Sequence, residues 1–404
     1  MPHRGKGLQI LFVAVLIEFC LGTGFGWSLF VKPLMDLHGW SRSQVTLAYS
    51  LYVSFNGLAY LLVGYWADRN PRRTTFLGGL LFGFGILVGG LAVIKGWLYL
   101  LYAGYGLLAG LGIGMPYLAV LSVIIKWFSH RKGLATGIVL VSFGSGAIVM
   151  GVILPGLILR FGPGMVLLGM GALSAFVCGP LGLLIKNPPE QQNPPQENGG
   201  EPESIIPWYV LRQGRFYGLW GIMFVLIGSG VAIFSQAAII FQERYEASSA
   251  AAGSLVAIMA VSNSLGRLFW SSLSDQCGRR AALIGIILIQ AAAFFLMVQS
   301  IPSWAFQLAL CTIAFNYGGN CGTMPAFTAD LFGADKVGRI YGPIISAQAT
   351  AGLISPLLFA WLRDWTGSYN LPAYLTVAAL LCTVILPLII SRPQTAVTSE
   401  PAVG

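Results

Sequence analysis

Twelve apolar runs, each about as long as a bilayer is thick, dominate this sequence. They fall near residues 9–31, 43–66, 74–94, 97–122, 133–159, 163–185, 215–238, 248–272, 280–300, 303–328, 338–361 and 369–391. A hydrocarbon core of about 30 Å is crossed by about 20 apolar residues in helical form. Strands without a closed barrel leave their backbone unsatisfied in lipid, so each run is expected to be a helix. The fold class that follows is an all-α membrane protein with twelve transmembrane helices. Only 9% of the 404 residues are charged, against about 25% in soluble domains. A soluble enzyme, a nucleic-acid binder and a disordered scaffold are therefore excluded.

Between the sixth and seventh runs, Asn187-Pro188-Pro189 opens a stretch rich in Pro, Gln, Asn and Glu that ends at Pro207. Such a composition reads as a flexible linker. The expected organisation is an N-terminal six-helix bundle over 1–186, a cytoplasmic linker over 187–211 and a C-terminal six-helix bundle over 212–404. Sixteen basic residues fall on the side of the termini, and six (Lys32, Arg42, Lys95, Arg160, Arg244 and Arg363) on the opposite side. The positive-inside bias then puts both termini in the cytoplasm. The net charge of +9 reflects that topology rather than affinity for nucleic acid. The expected location is a prokaryotic inner (plasma) membrane, multi-pass. The first run continues past Phe30, too long for a signal-peptide core. The cysteines are scattered without a C-x-x-C pair, and His3, His38 and His130 lie in loops or at the terminus. No disulfide, metal, cofactor or catalytic set is expected.

The two halves repeat. Gly64-Tyr-Trp-Ala-Asp68-Arg69-Asn-Pro-Arg72-Arg73 follows the second run, and Ser271-Ser-Leu-Ser-Asp275-Gln-Cys-Gly-Arg279-Arg280 follows the eighth at the same internal spacing. Met115-Pro116 in the fourth run recurs as Met324-Pro325 in the tenth. An internal duplication in a polytopic chain points to a transporter with its site near mid-membrane, between the repeats. Asp68, Arg72, Asp275 and Arg279 are candidate gating residues. An anion suits a helix N-terminus, and a charge cluster between two bundles can break as they rock. The plainer alternative is topology alone.

Arg267 is the sharpest single residue. It precedes Asp275, the boundary marker, by eight positions, which is roughly 12 Å into the hydrocarbon core. A cation at that depth is costly and by default functional, and its planar fork matches a carboxylate. Asn263, four residues earlier, shares its helix face. The alternative is a structural arginine satisfied by backbone carbonyls. Glu18 sits near mid-depth in the first run, on a face with Phe25 and Leu29. It is the proton-coupling candidate, or else a protonated carboxyl hydrogen-bonded between helices. Asp330 reads as a capping or interface charge. Tyr117, Tyr317 and Asn320 can offer hydrogen bonds to a small anion in a cavity of mixed polarity. The tyrosines can equally be packing residues, and Asn316 and Asn320 can be interhelical glue.

The loop motif at Gly64–Arg73 and its second copy resemble the signature of the major facilitator superfamily. A finer likeness lies in Tyr105-Gly-Leu-Leu-Ala-Gly110-Leu-Gly112-Ile-Gly114-Met-Pro-Tyr117, Lys126-Trp127-Phe128, Arg131-Lys132-Gly133, Asn316-Tyr317-Gly318, Ala329-Asp330-Leu331-Phe332-Gly333 and Gly22-Thr-Gly-Phe-Gly-Trp27. In order and spacing these resemble the oxalate:formate antiporter family and its monocarboxylate transporter relatives, over nearly the whole chain. The resemblance implies two pseudo-symmetric bundles and an arginine of helix eight, Arg267, as the carboxylate anchor. It places Tyr117 and Tyr317 where aromatic residues enclose the substrate, and Cys321 where oxalate carriers hold a second aromatic. Gln348 stands at the place of their helix-eleven lysine. One cation neutralises one carboxylate, and a dianion would keep an uncompensated charge in a medium of low dielectric. The substrate expected is therefore a monocarboxylate such as lactate or pyruvate. Animal monocarboxylate carriers have Asp where this chain has Asn263, and a helix-one lysine near Leu29. The functional expectation is a proton-coupled secondary transporter, monomeric, whose partners are a small organic anion, protons and the bilayer. Carboxylate exchange and a non-transporting membrane sensor of the same fold are the alternatives.

Overall fold

The computed structural model describes residues 2–128, 132–188, 208–332 and 337–390, and every element among them is helical. In chain order the helices are α1 (Pro2–Gly22), α2 (Ser28–His38), α3 (Arg42–Arg69), α4 (Pro71–Lys95), α5 (Leu98–Leu101), α6 (Gly110–Trp127), α7 (Lys132–Phe161) and α8 (Pro163–Gly182) in the first half. The second half has α9 (Trp208–Leu211), α10 (Gly214–Tyr245), α11 (Ser249–Cys277), α12 (Arg279–Met297), α13 (Ser303–Phe332), α14 (Val337–Thr366), α15 (Asn370–Thr383) and α16 (Ile385–Ile390). Among the described residues, ten helical segments are long and apolar enough to cross a membrane. The α1–α2 pair and α13 fill the first and tenth places of a twelve-helix series.

Local chemistry sets the boundaries. Ser41 and Gln44 form a reciprocal capping box that starts α3. Pro71 begins α4 at a position where its missing N–H costs nothing. Gly39 and Gly96 end their helices with positive φ, the conformation in which glycine avoids the Cβ clash.

Two spans depart from a continuous α-helix. Thr23–Trp27 is a 3₁₀ turn between α1 and α2. It changes the angular step per residue, so the face expected to hold Glu18, Phe25 and Leu29 together is broken between the first and last of these. Tyr102–Ala109, between α5 and α6, is π-helical, which the apolar pattern did not foretell.

In the first half α4 packs on α8, α3 on α6, and α1 on α7; in the second α11 packs on α13, α10 on α14, and α12 on α13 and α15. The halves meet along α3–α14 and α7–α11. Both seams run on small residues. A Cβ on Gly57 of α3 would lie 2.6 Å from the Ala349 nitrogen of α14. One on Gly151 of α7 would lie 2.8 Å from the Ala257 nitrogen of α11. Without a hydrophobic drive between helices in lipid, such close backbone approach is what holds them together. Large apolar side chains such as Phe84, Leu159 and Phe176 are exposed on the outside, as a lipid-facing surface requires.

Candidate functional site

A cavity lies between the halves, against α7 on one side and α10 and α11 on the other. Its polar end is formed by Asn263, Ser264 and Arg267, and its apolar walls include Phe143, Ala147, Phe234, Val256 and Ala260. The lining is of mixed polarity, with its polar groups gathered at one end. Asn263 and Arg267 reach the cavity together because they are four residues apart on α11. The Arg267 Nε is buried without a hydrogen-bond partner, so this cation is not satisfied by backbone carbonyls at that atom.

The surroundings of Arg267 come from both halves. Tyr117 of α6, and Tyr317 and Cys321 of α13, lie within electrostatic reach of its guanidinium, Tyr117 at hydrogen-bonding range. Glu18 of α1 interacts with it electrostatically as well. Glu18 is 0% exposed, and neither carboxylate oxygen has a hydrogen-bond partner. That is not the interhelical hydrogen bond that one sequence alternative required.

Other residues join this centre without a prior signal. Tyr60 of α3 packs against Tyr117 with ring centroids 5.6 Å apart, and Tyr341 of α14 is in electrostatic reach of Arg267. Phe143 meets Tyr117 edge-on at 5.6 Å, and Phe234 meets Tyr317 edge-on at 5.3 Å. Phenylalanines and tyrosines inside apolar runs look alike in sequence. Only helix packing selects those that face the centre.

Of the eight residues expected to bind substrate, Asn263 and Arg267 line the cavity; Tyr117, Tyr317 and Cys321 stand near Arg267 without lining it, and Leu29, Gln348 and Asn320 are not brought to it. Leu29 is buried in the apolar core, beyond the 3₁₀ turn. Gln348 is half-buried on α14, and the cavity lining does not include it. Asn320 is 0% exposed with both amide atoms unpartnered, and it does not line the cavity. Asn316 is the interhelical glue of that pair: its Oδ1 accepts from Trp270 Nε1 at 3.0 Å and its Nδ2 donates to the Ile286 carbonyl at 3.4 Å.

The expected gating residues lie at the end that carries the termini. The Asp68 side chain is outside the described residues, and Arg72 is exposed. Asp275 pairs with Arg279, whose Nε also donates to Asp330 at 3.2 Å. No side chain caps α12 at its N-terminus, so Asp275 acts through the arginine rather than as a cap. All three residues belong to the second half, and Asp330 is an interface charge between α12 and α13.

A second cluster closes the opposite end. Arg42, at the start of α3, is 3% exposed and reaches across to the second half. It pairs with Glu243 of α10 and, at 3.7 Å, with Asp364 of α14. It also donates to Tyr369 and, at 3.3 Å, to Gln236. Tyr369 in turn donates to Glu243 at 2.8 Å, Ser43 Oγ donates to Asp364 at 2.6 Å, and Gln236 donates to Thr46 at 2.6 Å. Burial pushes the Tyr369 hydroxyl above its ordinary pKa, outweighing the nearby Arg42 charge. The phenol therefore stays protonated and keeps donating. In sequence Arg42 was only one of six basic residues on its side.

The sequence pattern of the Major Facilitator Superfamily matches residues 14–342, and again 225–403. The oxalate:formate antiporter of Oxalobacter formigenes is 26% identical over 420 aligned residues, covering 96% of this chain and 94% of its own. Monocarboxylate transporter 12 of Mus musculus is 25% identical, covering 94% of this chain and 83% of its own. The crystal structure of a bacterial homologue of the human lysosomal transporter Spinster, inward-facing and occupied, superposes with a TM-score of 0.74 at 16% identity over 100% of both chains.

Proposed function

The chain belongs to the major facilitator superfamily and is a multi-pass membrane transporter, and we propose that it carries a small monocarboxylate of the lactate or pyruvate type. The observation that carries this reading is Arg267, a cation on the cavity wall with an unpartnered nitrogen among apolar neighbours. A carboxylate would supply the missing charge and accept from the fork. No second cation lines the cavity among the described residues, so a dianion would keep one charge unpaired. The printed names of the relatives, an antiporter of oxalate and formate and a monocarboxylate transporter, agree with an organic-anion substrate.

In this reading Asn263 and Tyr117 orient the carboxylate beside Arg267. Tyr317 and Cys321 bound its space. Gln348 and Asn320 come into play only as the helices shift, and Leu29 fills core behind the turn. Residues 1–186 rock against 212–404 about the small-residue seams, joined by the linker 187–211. Most of that linker lies outside the described residues. The Arg42 cluster holds the end away from the termini closed, and the basic-residue bias assigns that end to the outside of an inner membrane. Asp68, Arg72, Asp275 and Arg279 would latch the other end in the alternate state.

Glu18 is the proton site of this reading. A carboxyl with no donor near its oxygens is cheap to bury neutral and costly to bury charged. When a substrate anion neutralises Arg267, the incentive to ionise Glu18 falls, and proton and anion travel together. Carboxylate exchange is the second reading, favoured by the full-length likeness to an antiporter.

Uptake of radiolabelled acids into proteoliposomes, with and without a pH gradient, tests both readings. Arg267→Lys keeps the charge and loses the fork, and lactate uptake should fall more than tenfold. Near-normal uptake would remove Arg267 from the site. Glu18→Gln should abolish accumulation driven by pH while leaving counterflow exchange within about twofold; intact accumulation would make Glu18 structural. Uptake that requires a loaded internal carboxylate selects exchange.

A further inference from the structure

The seam between α7 and α11 is not closed along its whole length. The two helices touch where Gly151 meets Ala257 and where Gly144 meets Ser264. Two turns nearer the termini-bearing end they part, and a Cβ on Gly137 would meet nothing within 4 Å. The slot that results is lined by Gly137, Leu140, Val141, Ser264, Arg267 and Leu268. Leu140, Ser264 and Arg267 also line the central cavity, so the two spaces meet at the guanidinium. Val141 and Leu268 are 45% and 54% exposed. The outer rim of the slot is thus part of the apolar surface that faces lipid.

We propose that this slot seats the aliphatic tail of a carboxylate whose head is held by Arg267, so that the substrate class extends to unbranched monocarboxylates of medium chain length. The inference rests on the reading of Arg267 as the carboxylate anchor. Charge complementarity fixes the head at the inner end of the slot, and the lining fixes the chemistry of the tail. Apart from Arg267 and Ser264 the lining is glycine and aliphatic. A second carboxylate at the far end of the chain would lie against that apolar rim without a partner. Half a helix diameter, ~5 Å, separates the seam from lipid, a distance that an alkyl chain of about four to five carbons covers. Beyond that length the chain continues into the bilayer, which also removes it from water. Binding should therefore strengthen steadily with length, by about two- to fourfold per methylene, with no sharp cut-off. A closed pocket would instead impose a maximum length.

The test is direct binding of labelled lactate and labelled octanoate to the purified full chain in lipid nanodiscs, with butyrate, hexanoate and the eight-carbon diacid suberate as competitors. Empty discs subtract simple partitioning. Octanoate should bind at least tenfold more tightly than butyrate, and suberate should compete no better than butyrate. Gly137→Leu fills the slot from a position with open space, so the helix tolerates it. This variant should weaken octanoate at least tenfold more than lactate. Octanoate binding no tighter than butyrate, or a chain-length gain that survives Gly137→Leu, overturns the proposal while leaving lactate binding and the monocarboxylate reading in place. Undiminished binding of both lactate and octanoate by Arg267→Lys overturns the anchor reading and this inference with it.

Discussion

The two ends of the contact between the halves are built differently. The α3–α14 pair approaches backbone to backbone at mid-length, near Gly57, and at the end away from the termini α7 and α11 do so near Gly151. There the buried Arg42 spans from one half to acids of the other. At the termini-bearing end, Gly64 of α3, Gly137 of α7 and Gly342 of α14 all have open space where a Cβ would stand. The charge cluster there, Asp275–Arg279–Asp330, ties helices of the second half to one another. A pair within one bundle cannot resist separation of two bundles, whereas a pair across them can. The difference teaches that similar charged residues do unlike work according to whether a seam runs between them.

That comparison can be broken most severely at the packed seam. Gly151→Leu would drive a side chain into Ala257 and the Gly253 carbonyl, which overpacking penalises by several-fold more than surface change. Uptake should fall by about a hundredfold, while the expressed protein still binds lactate from the termini-bearing side. Unchanged uptake would show that the seam is not a pivot. Arg42→Gln comes next. Its partners Glu243 and Asp364 are about a third exposed, so the full cost of breaking a buried pair is discounted to about 2 kcal/mol. That is about a thirtyfold shift toward opening at this end. Spin labels at Leu37→Cys and Trp365→Cys, both exposed in the native residues, would report it as a longer distance; no change would mean that packing alone seals this end. Because Tyr369 remains protonated, its own link should persist through neutral and mildly alkaline pH. Arg279→Gln is the smallest effect. The described partners of Arg279 all lie in one half, so the substitution leaves the Arg42-closed state intact and weakens only the latch proposed for the alternate state, moving the same label distance by about two- to fivefold in population. No shift at all would remove Arg279 from that latch.

The residues legible in sequence were those whose chemistry conflicts with their surroundings. Arg267 stood out because a guanidinium in an apolar run needs a reason, and helical spacing brought Asn263 with it. Glu18 stood out for the same cause. Leu29 and Gln348 were located by likeness of position rather than by chemistry. The 3₁₀ turn at Thr23–Trp27 rotates Leu29 away from the Glu18 face, and the rotation of α14 leaves Gln348 off the cavity wall. Tyr117 and Tyr317 were reached through likeness of position, but Tyr60, Phe143, Phe234 and Tyr341 carried no signal, since one aromatic residue in an apolar run resembles the next.

From residues alone come the membrane-spanning all-α class, the duplication and the presence of one cation deep in an apolar run, because lipid forbids unpaired backbone and taxes isolated charge whatever the tertiary arrangement. Which end of the molecule is shut, which aromatic rings surround the guanidinium and where two helices part were decided only in three dimensions. They depend on rotations and separations of packed helices over a few ångströms, and an apolar run of given length is compatible with many of these.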